Sequence, residues 1–561
     1  MRLNGLGVSD GIGIGRAILV EAEEFDVTKR ETDPVAEEKR FSKAIRDLMH
    51  TLEEKAGNTS GEQAEILESH IDILEDPMLT SAITDLIEAE SCNSEYASTV
   101  IFDQYIEMFA SSGDELLELR ASDLKDIKNN LLSILAGKDL IDVSKLPSGT
   151  ILVAEELTTS IAAGINPENI CGIVTEIGGK TSHMAIIARS IGVPAIVGVS
   201  AGEIANDTYL IMDGSTGVLL LEPSKEEIDR YTKKQEAIKQ EKLALEKYRG
   251  QDSVTEDGQK VELFANIGLE IDIENAVKAD AEGVGLFRTE FLYMNRGSAP
   301  GEEEQFQIYK KAATAFPDKP VIIRTLDIGG DKEIPYLELE KEENPFLGWR
   351  AIRYCLDKEE IFISQIRAIL RASAFGDIKI MIPMISTLSE FERAKKLIVT
   401  EQEKLLNEGI PFNQEIQVGI MVETPAAGIL ADLFAETVDF FSIGTNDLTQ
   451  YTMAVDRGNK KVADLYSPYN PAVLRLIYQV AQAAQKNNIM CGVCGEAGGD
   501  PLMMKYLIGC GINELSMTGT SILKAREIVR SVNYKELESS IQDNLFNLHS
   551  VDEVLEFLKT L

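Results

Sequence analysis

The stretch Phe440-Phe-Ser-Ile-Gly-Thr-Asn-Asp447 is one of eight short apolar runs in the second half of the chain, and it ends on two polar residues. Each run has the length of a strand, and helical segments lie between most of them. The runs are Val261–Ile267, Gly283–Arg288, Val321–Asp327, Ile378–Met384, Gln417–Glu423, Phe440–Asp447, Ile489–Glu496 and Asn513–Met517. Eight strands in roughly the last 305 residues predict a (β/α)8 barrel of the TIM type, with an open doubly wound sheet as the alternative.

Functional side chains gather toward the C-terminal ends of several of these runs. In a (β/α)8 barrel that end carries the active site, so a barrel predicts that these side chains lie close together. A structural role in a helix cap or a loop turn would explain any one of these side chains, but it would poorly explain why so many of them lie at the same end of the strands. The residues are Arg288, Arg324, Glu423, Asn446, Asp447 and Cys494.

The charges in this set indicate an anionic substrate and a metal ion. Arg288 and Arg324, joined by Arg457, can bind carboxylate and phosphate groups through paired N–H donors. Glu423 and Asp447 offer hard oxygen ligands from neighbouring strands, which suits Mg²⁺ shared with a phosphate. A structural salt bridge to one of the arginines is the alternative for either carboxylate.

The six cysteines do not form a disulfide framework over a chain of this length. Cys491 and Cys494 form a C-x-x-C pattern, but zinc is disfavoured because a second cysteine pair is missing. Cys494, at a site rich in cations, is a candidate proton donor or acceptor. The remaining cysteines are expected to be packing residues.

Composition excludes several classes of function. The net charge of −38 argues against binding to nucleic acid or to an anionic membrane surface. No apolar run reaches the roughly 18 residues that a membrane span needs, and the N-terminus lacks a signal-peptide pattern. We therefore expect a cytoplasmic protein, and its 561 residues predict more than one domain.

The first half of the chain combines strand and helix patterns. Glycine-rich strand material spans residues 5–20, and strand signals return between residues 150 and 212. Between them, residues 33–142 have helical periodicity, which indicates a helical subdomain inserted into a small α/β domain. Residues 224–249 are highly charged and predict a solvated linker helix.

A single histidine in the α/β part stands out. His183 follows Ile177-Gly-Gly-Lys-Thr-Ser182 and precedes an apolar helix from Met184 to Ile191. A helix start with nearby glycines favours a bound anion, and imidazole is largely neutral and nucleophilic near pH 7. The pattern indicates a histidine that accepts a phosphoryl group, whereas an isolated histidine would be interpreted as a surface cap residue.

These motifs resemble enzyme I, the phosphoenolpyruvate–protein phosphotransferase family of the bacterial sugar uptake system. The resemblance covers nearly the whole chain in the right order. It rests on Gly178–His183 with Ala188–Ser190, Gly285–Phe291, Arg324–Lys332, Asn344–Arg350, Gly444–Gln450 and Cys494–Glu496.

The resemblance implies four parts. An α/β phosphohistidine domain that swivels (1–32 and 143–223) contains an inserted helical subdomain that binds the carrier protein HPr (33–142). A linker helix (224–255) then leads to a (β/α)8 barrel that binds phosphoenolpyruvate and forms a homodimer (256–561). The resemblance also implies residue roles. His183 takes the phosphoryl group, Cys494 protonates the enolate to give pyruvate, and the phosphoryl group then passes to a histidine of HPr.

The implied binding residues complete the site. Arg288, Arg324, Arg457 and Asn446 grip phosphoenolpyruvate, and Glu423 and Asp447 hold Mg²⁺ (Asp447 also faces the substrate). Supporting roles are expected for Lys332, Arg350 and Thr181.

The chain departs from the family pattern near the histidine. Lys180 replaces the usual arginine, and Ala162 stands where a threonine close to the histidine is usual, so Thr181 or Ser182 is expected to fix the His183 tautomer. The segment Ser516–Thr520, near the last strand, matches the family pattern less closely than the other motifs do. The alternatives are an enzyme like pyruvate phosphate dikinase or phosphoenolpyruvate synthase, which needs a nucleotide-binding domain before the histidine, and an inactive regulatory relative, which predicts loss of His183 or of the ligand set.

Overall fold

The computed structural model divides the chain into two compact units, Met1–Glu241 and Lys242–Leu561. It describes residues 1–20, 25–57, 62–110, 115–138, 143–158, 161–162, 164–179, 183–294, 298–330, 334–337, 339, 342–459 and 461–561. The boundary between the units falls within the helix Lys225–Leu245.

The first unit contains an eight-stranded sheet in the order β1-β8-β7-β3-β4-β5-β6-β2. β3, β4, β5 and β6 run parallel, and the other pairings are antiparallel. Apolar side chains are buried on both faces of the sheet, because the strands are rich in isoleucine, leucine and valine. The strands are β1 (Arg2–Asn4), β2 (Leu6–Ser9), β3 (Ile12–Val20), β4 (Thr150–Ala154), β5 (Ile170–Thr175), β6 (Ala195–Val197), β7 (Tyr209–Asp213) and β8 (Val218–Leu221).

A helical subdomain lies between β3 and β4, as the periodicity predicted. Its apolar faces meet in a separate core that includes Phe41, Leu48, Ile83 and Phe102. Its helices are Pro34–Gly57, Glu62–Glu75, Pro77–Glu90, Ser94–Ala110 and Glu115–Leu135.

The second unit is a closed barrel of eight parallel strands, which confirms the predicted fold class. Each strand pairs with the next in sequence, and the last strand closes on the first. The strands are β9 (Glu262–Ile267), β10 (Val284–Arg288), β11 (Val321–Arg324), β12 (Ile378–Ile382), β13 (Val418–Val422), β14 (Phe440–Ile443), β15 (Met490–Val493) and β16 (Glu514–Met517).

Helices surround the barrel and continue beyond its last strand. Their buried faces join the large core outside the strands, which is the arrangement expected when each strand feeds a crossover helix. The helices are Glu270–Lys278, Glu302–Ala315, Ile352–Asp357, Glu359–Ala372, Leu388–Glu408, Pro425–Ile429, Ala431–Phe434, Thr445–Met453, Pro471–Asn487, Pro501–Gly509, Ile522–Arg530, Tyr534–Asn544 and Val551–Thr560.

Several predicted runs extend beyond the strands they contain. The run Phe440–Asp447 holds β14 only to Ile443, and its last residues begin the helix Thr445–Met453. The run Ile489–Glu496 likewise holds β15 only to Val493. Polar residues follow these strands because the loops at the C-terminal end of the barrel must satisfy their own backbone groups and carry the site.

The linker prediction reached residue 255, whereas its helix ends at Leu245 and has no buried residue. Beyond it, Arg526 of the barrel unit is buried and donates to the Tyr248 carbonyl at 3.2 Å and to Ser253 Oγ at 3.1 Å. Residues near the end of the predicted linker are therefore packed within the barrel unit. In the described ranges, we find no helix that combines the length and apolarity needed to cross a membrane.

Candidate active site at the barrel mouth

The helix that follows the predicted phosphohistidine motif begins at His183, one residue before the predicted start, and ends at Ile191. Met184, Ala185 and Ala188 are buried in the core against the sheet, so packing fixes the direction of the helix. Gly178 has a φ of +143°, a conformation that side chains rarely adopt, and it allows the turn before the motif.

Part of this motif lies outside the described residues: Lys180, Thr181, Ser182 and the side chain of His183. Ala162 is described and is buried, and its methyl group has no hydrogen-bonding capacity. The roles of His183 and Thr181 therefore stay predictions.

At the barrel mouth, the ends of neighbouring strands bring the predicted cations together. Arg288 and Arg324 are the last residues of β10 and β11 and stand in register with each other. The Thr289 hydroxyl donates to the Arg324 carbonyl at 2.8 Å, which ties the two strand ends. Arg288 is half-buried, whereas Arg324 is only 7% exposed.

The Arg324 guanidinium is held by two buried carboxylates. Nη2 donates to Glu290 Oε1 at 2.6 Å, and Nη1 lies 2.9 Å from Asp327 Oδ2. Burial lowers the pKa of Arg324, and the charges of Glu290 and Asp327 raise it further than burial lowers it, so the group is charged. Nε of Arg324 is buried and has no hydrogen-bond partner.

Arg350 shares one of those carboxylates and reaches a predicted metal ligand. Its Nη2 donates to Asp327 Oδ1 at 2.9 Å and to Asp447 Oδ2 at 3.1 Å, and its Nη1 donates to the Tyr451 hydroxyl at 3.1 Å. Arg350 is 4% exposed, and its Nε also has no partner. Asp327 thus joins the two arginines into one network.

Glu423 directly follows β13 and is buried beside this network. Its Oε1 accepts the Met384 backbone N–H at 2.6 Å, and its Oε2 lies close to Gly444, where a Cβ would come within 3.0 Å. Burial, and then the charges of Asp447 and Asp327, raise the pKa of Glu423 to about 8. A bound divalent cation would relieve this repulsion and favour the ionised carboxylate.

The donor set fits the predicted Mg²⁺ in its chemistry, because carboxylate oxygens are the ligands that Mg²⁺ prefers and only one or two are needed beside water and substrate. Among the described residues, no group of three or more histidine, cysteine, aspartate or glutamate side chains could hold a metal.

Arg457 and Asn446 lie on the same side of the mouth. Arg457 Nη2 is 3.8 Å from Asp447 Oδ1 and is partly exposed. Asn446 Oδ1 accepts the Glu496 backbone N–H at 3.4 Å, and Tyr466 donates its hydroxyl to the Asn446 carbonyl at 3.3 Å. Loops after two neighbouring strands thus converge on one edge of the mouth.

Cys494 follows β15 and belongs to the apolar cluster inside the barrel. Its thiol donates to the Ile443 carbonyl at 3.7 Å. Burial raises its pKa to about 12, so the thiol is protonated at neutral pH. A protonated thiol can give a proton, and the role of Cys494 stays a prediction.

The structure brings together Arg324, Arg350, Glu423, Asp447 and Arg457. Lys332 lies outside the described residues. Glu290 and Asp327 were not predicted as site residues, although Asp327 closes the third apolar run and Glu290 follows Arg288 by two positions. Their closeness in sequence to the candidate arginines was the signal that could have identified these two acidic residues as site residues.

Three family models match the chain. They are described as the PEP-utilising enzyme N-terminal domain over residues 4–120, mobile domain over 146–217 and PEP-binding domain over 242–534. The third model alone matches more than half of the chain. All three concern enzymes that use phosphoenolpyruvate.

Relatives match over the whole length. A "Phosphoenolpyruvate-protein phosphotransferase" of Priestia megaterium is 44% identical, with 100% of this chain and 98% of the relative covered. Its counterpart from Bacillus subtilis (strain 168) is 43% identical, with 99% of each covered. A solution structure called "Enzyme I (nEIt)" is 31% identical over 42% of this chain and 99% of its own, with a TM-score of 0.39. By its family models and its full-length relatives, the chain belongs to the phosphoenolpyruvate–protein phosphotransferase family.

Proposed function

We propose that the barrel mouth binds phosphoenolpyruvate, that His183 accepts its phosphoryl group, and that a histidine of the carrier protein HPr receives it next. The observation that carries the binding step is the pair of buried donors Arg324 Nε and Arg350 Nε, which have no hydrogen-bond partner. A buried N–H group without a partner costs free energy, and an anionic substrate would satisfy both.

The arginines act as positioned charges. Arg324 and Arg350 are fixed by Glu290, Asp327 and Asp447, so little reorganisation is needed when the substrate binds. Arg288 and the more exposed Arg457 would contact the substrate from the sides of the mouth. Positioning and charge neutralisation carry most of the catalysis in phosphoryl transfer.

Glu423 and Asp447 would hold Mg²⁺. The ion supplies charge neutralisation for the phosphate and for the enolate oxygen. Asp447 is oriented for this by Arg350, and Glu423 is oriented by the Met384 backbone N–H. This assignment is supported by the proximity of the two carboxylates, since the charge of Asp447 raises the pKa of Glu423 beside the buried arginines.

His183 would attack the phosphorus atom and leave the enolate of pyruvate. Its place at the first position of a helix favours the phosphorylated state, because the helix start is the positive end of the backbone dipole. The Cys494 thiol would then give its proton to the methylene carbon and produce pyruvate.

The remaining partners follow from the family. We infer that HPr docks on the helical subdomain, where residues 33–142 form a core of their own. We also infer that the barrel unit forms a homodimer and that the enzyme works in the cytoplasm. We also propose the boundaries of the phosphohistidine domain (1–32 and 143–223) and of the inserted subdomain (33–142), whereas the linker helix ends at Leu245.

The experiment is a transfer assay with phosphoenolpyruvate, Mg²⁺ and HPr. Pyruvate and phosphorylated HPr should form in equal amounts, and chelation of the metal should stop both. With Cys494→Ala, we expect pyruvate formation to be slower by about 100-fold, which is typical for loss of a general acid. Unchanged pyruvate formation in this variant would remove Cys494 from the mechanism.

A further inference from the structure

A buried glutamate inside the barrel has no part in the site described above. Glu514 lies on β16, is 0% exposed, and accepts a hydrogen bond from the Ser516 hydroxyl on Oε1. Its other oxygen, Oε2, is buried without a hydrogen-bond partner. An unpaired oxygen of a buried carboxyl group is costly unless it carries a proton.

Two glycines make room for this carboxyl group. A Cβ at Gly492 on β15 would lie 1.7 Å from Glu514 Oε2, and a Cβ at Gly285 on β10 would lie 2.6 Å from Oε1. Any side chain at Gly492 would displace the carboxyl group, so the sequence leaves this space for it. Oε2 is therefore placed over β15.

The barrel register aligns Glu514 with a second buried polar group. Ser442 of β14 pairs with Gly492 of β15, and Gly492 pairs with Glu514 of β16. Neighbouring strands are about 4.8 Å apart, so Ser442 and Glu514 flank the space above Gly492. Ser442 is also 0% exposed, and its Oγ has no hydrogen-bond partner of normal geometry.

Cys494 completes the group. It lies two residues after Gly492, so it faces the same side of β15, and it belongs to the apolar cluster of the interior. The Ser442 hydroxyl is near enough to the thiol to lower its pKa by hydrogen bonding, although burial has the larger, opposite effect. The negative charge of Glu514, when ionised, disfavours the thiolate.

We propose that Glu514 holds a proton inside the barrel that restores the Cys494 thiol after each turnover, with the Ser442 hydroxyl as the relay. The inference rests on the proposed role of Cys494 as the proton donor to the enolate. Glu514 touches no substrate, so it acts through Cys494 as a positioning residue for the proton.

The proton transfers balance. Cys494 loses its S–H proton to the enolate carbon, where a C–H bond forms, and becomes a thiolate. The thiolate takes the Ser442 hydroxyl proton. Ser442 Oγ, which is not hydrogen-bonded to Glu514 in this structure, then turns over Gly492 and takes the proton of the Glu514 carboxyl group, which becomes a carboxylate. Solvent water returns a proton to the carboxylate before the next turnover.

The surroundings of Glu514 support a carboxyl group that is protonated between turnovers. Burial raises its pKa to about 8, against an ordinary value of 4.5. The Ser516 hydroxyl and the Lys379 charge lower this pKa, whereas the Glu262 charge raises it. Lys379 and Glu262 are half-buried on β12 and β9 and are the charged groups that act on this pKa. The titratable thiols of Cys491 and Cys494 also interact with Glu514.

The test compares net turnover with isotope exchange in Glu514→Gln. Net pyruvate formation with HPr as the acceptor consumes one proton in each cycle. Exchange of labelled pyruvate into phosphoenolpyruvate consumes none, because the thiolate left by one pyruvate removes a proton from the next. We expect net turnover to fall about tenfold, a modest general-acid effect, while exchange is unchanged.

Two further variants define the result. Ser442→Ala should give the same split between net turnover and exchange. Glu401→Gln is the matched control, since Glu401 is another buried glutamate, paired with Lys404 at 2.7 Å in an outer helix, and both rates should stay at the wild-type value.

The other outcomes would contradict the role of Glu514, the role of Cys494 or the proposed function as a whole. Equal loss of exchange and net turnover in Glu514→Gln would show that the residue is structural, and wild-type rates in both would show that solvent restores Cys494 directly. Wild-type rates in Cys494→Ala would instead contradict the proposed function of Cys494. Failure of the wild-type protein to form pyruvate would contradict the proposed function as a whole.

Discussion

The mouth and the interior of the same barrel hold buried charge in opposite ways. At the mouth, Arg324 and Arg350 share Asp327 at 2.9 Å each, and both have further carboxylate partners. In the interior, Glu514 is equally buried, but the partner that contacts it is a hydroxyl group. Burial disfavours the charged form in both places.

The difference shows that charged partners offset the effect of burial at the two arginines, whereas burial prevails at Glu514. Opposite charges within hydrogen-bond distance keep Arg324 and Arg350 ionised and ready for an anionic substrate, although burial raises the pKa of Glu423 beside them to about 8. Burial raises the pKa of Glu514 to about 8, and its hydroxyl partner Ser516 lowers this pKa too little to restore the ordinary value, so the carboxyl group can hold a proton. Four substitutions test this contrast, and the single tryptophan, Trp349, reports unfolding of the barrel unit by fluorescence.

Arg324→Met should have the largest effect. It removes the Arg324 charge from buried Glu290 and leaves buried Asp327 with Arg350 alone, so we expect the free energy of unfolding to fall by about 3–5 kcal/mol. Pyruvate formation should drop by roughly 10³-fold, since a positioned charge is lost. Denaturant unfolding and a pyruvate assay measure the two effects, and Arg324→Lys should retain more stability than Arg324→Met. Wild-type activity in Arg324→Met would place the substrate elsewhere.

Asp327→Asn removes the carboxylate that joins the two arginines. We expect the free energy of unfolding to fall by about 3 kcal/mol, because both guanidinium groups lose a buried counter-charge. Arg350→Met combined with Asp327→Asn should cost less than the sum of the two single changes. Strict additivity in this double-mutant cycle would mean that the network does not act as a unit.

Gly492→Ala tests the space over β15. Its Cβ would lie 1.7 Å from Glu514 Oε2, so overpacking should lower the free energy of unfolding by about 1–3 kcal/mol. Gly301→Ala is the control, because a Cβ there meets nothing within 4 Å and the φ of −68° suits alanine. Adding Glu514→Ala should reduce the cost of Gly492→Ala, and an unchanged cost would place the clash elsewhere.

Glu514→Gln, the last substitution, should act on the pH dependence of stability. The folded-state pKa of about 8 lies above the ordinary value of 4.5, so between these values the folded chain binds a proton that the unfolded chain has lost. The contribution of Glu514 to stability therefore falls as pH rises through this window, by about 1.4 kcal/mol per pH unit. In unfolding measurements at several pH values, the variant should lose this slope. Parallel curves for variant and wild type would mean that Glu514 is ionised when folded.

The sequence predicted the barrel because each strand is a continuous apolar run, and it predicted the polar residues that follow the strands. It did not predict which carboxylate holds which arginine, because Asp327 meets Arg350 only after the loops that follow β11 fold back. Glu514 was included in the run Asn513–Met517 without a role. A glutamate within an apolar run does not reveal that glycines on two other strands make room for it.

The phosphohistidine motif is the opposite case, because its residues are contiguous in sequence. The helix start at His183 was predicted within one residue, from the glycines before it and the apolar residues after it. The roles assigned to individual site residues stay predictions, since they depend on where a substrate lies.

The central claim is that His183 takes the phosphoryl group of phosphoenolpyruvate. The most direct measurement is the intact mass, at neutral or basic pH, of the wild-type chain and of His183→Ala after incubation with phosphoenolpyruvate and Mg²⁺. We predict one acid-labile phosphoryl group on the wild type and none on His183→Ala, with phosphoenolpyruvate binding largely retained in the variant. A phosphoryl group on His183→Ala, or none on either protein, would contradict the claim.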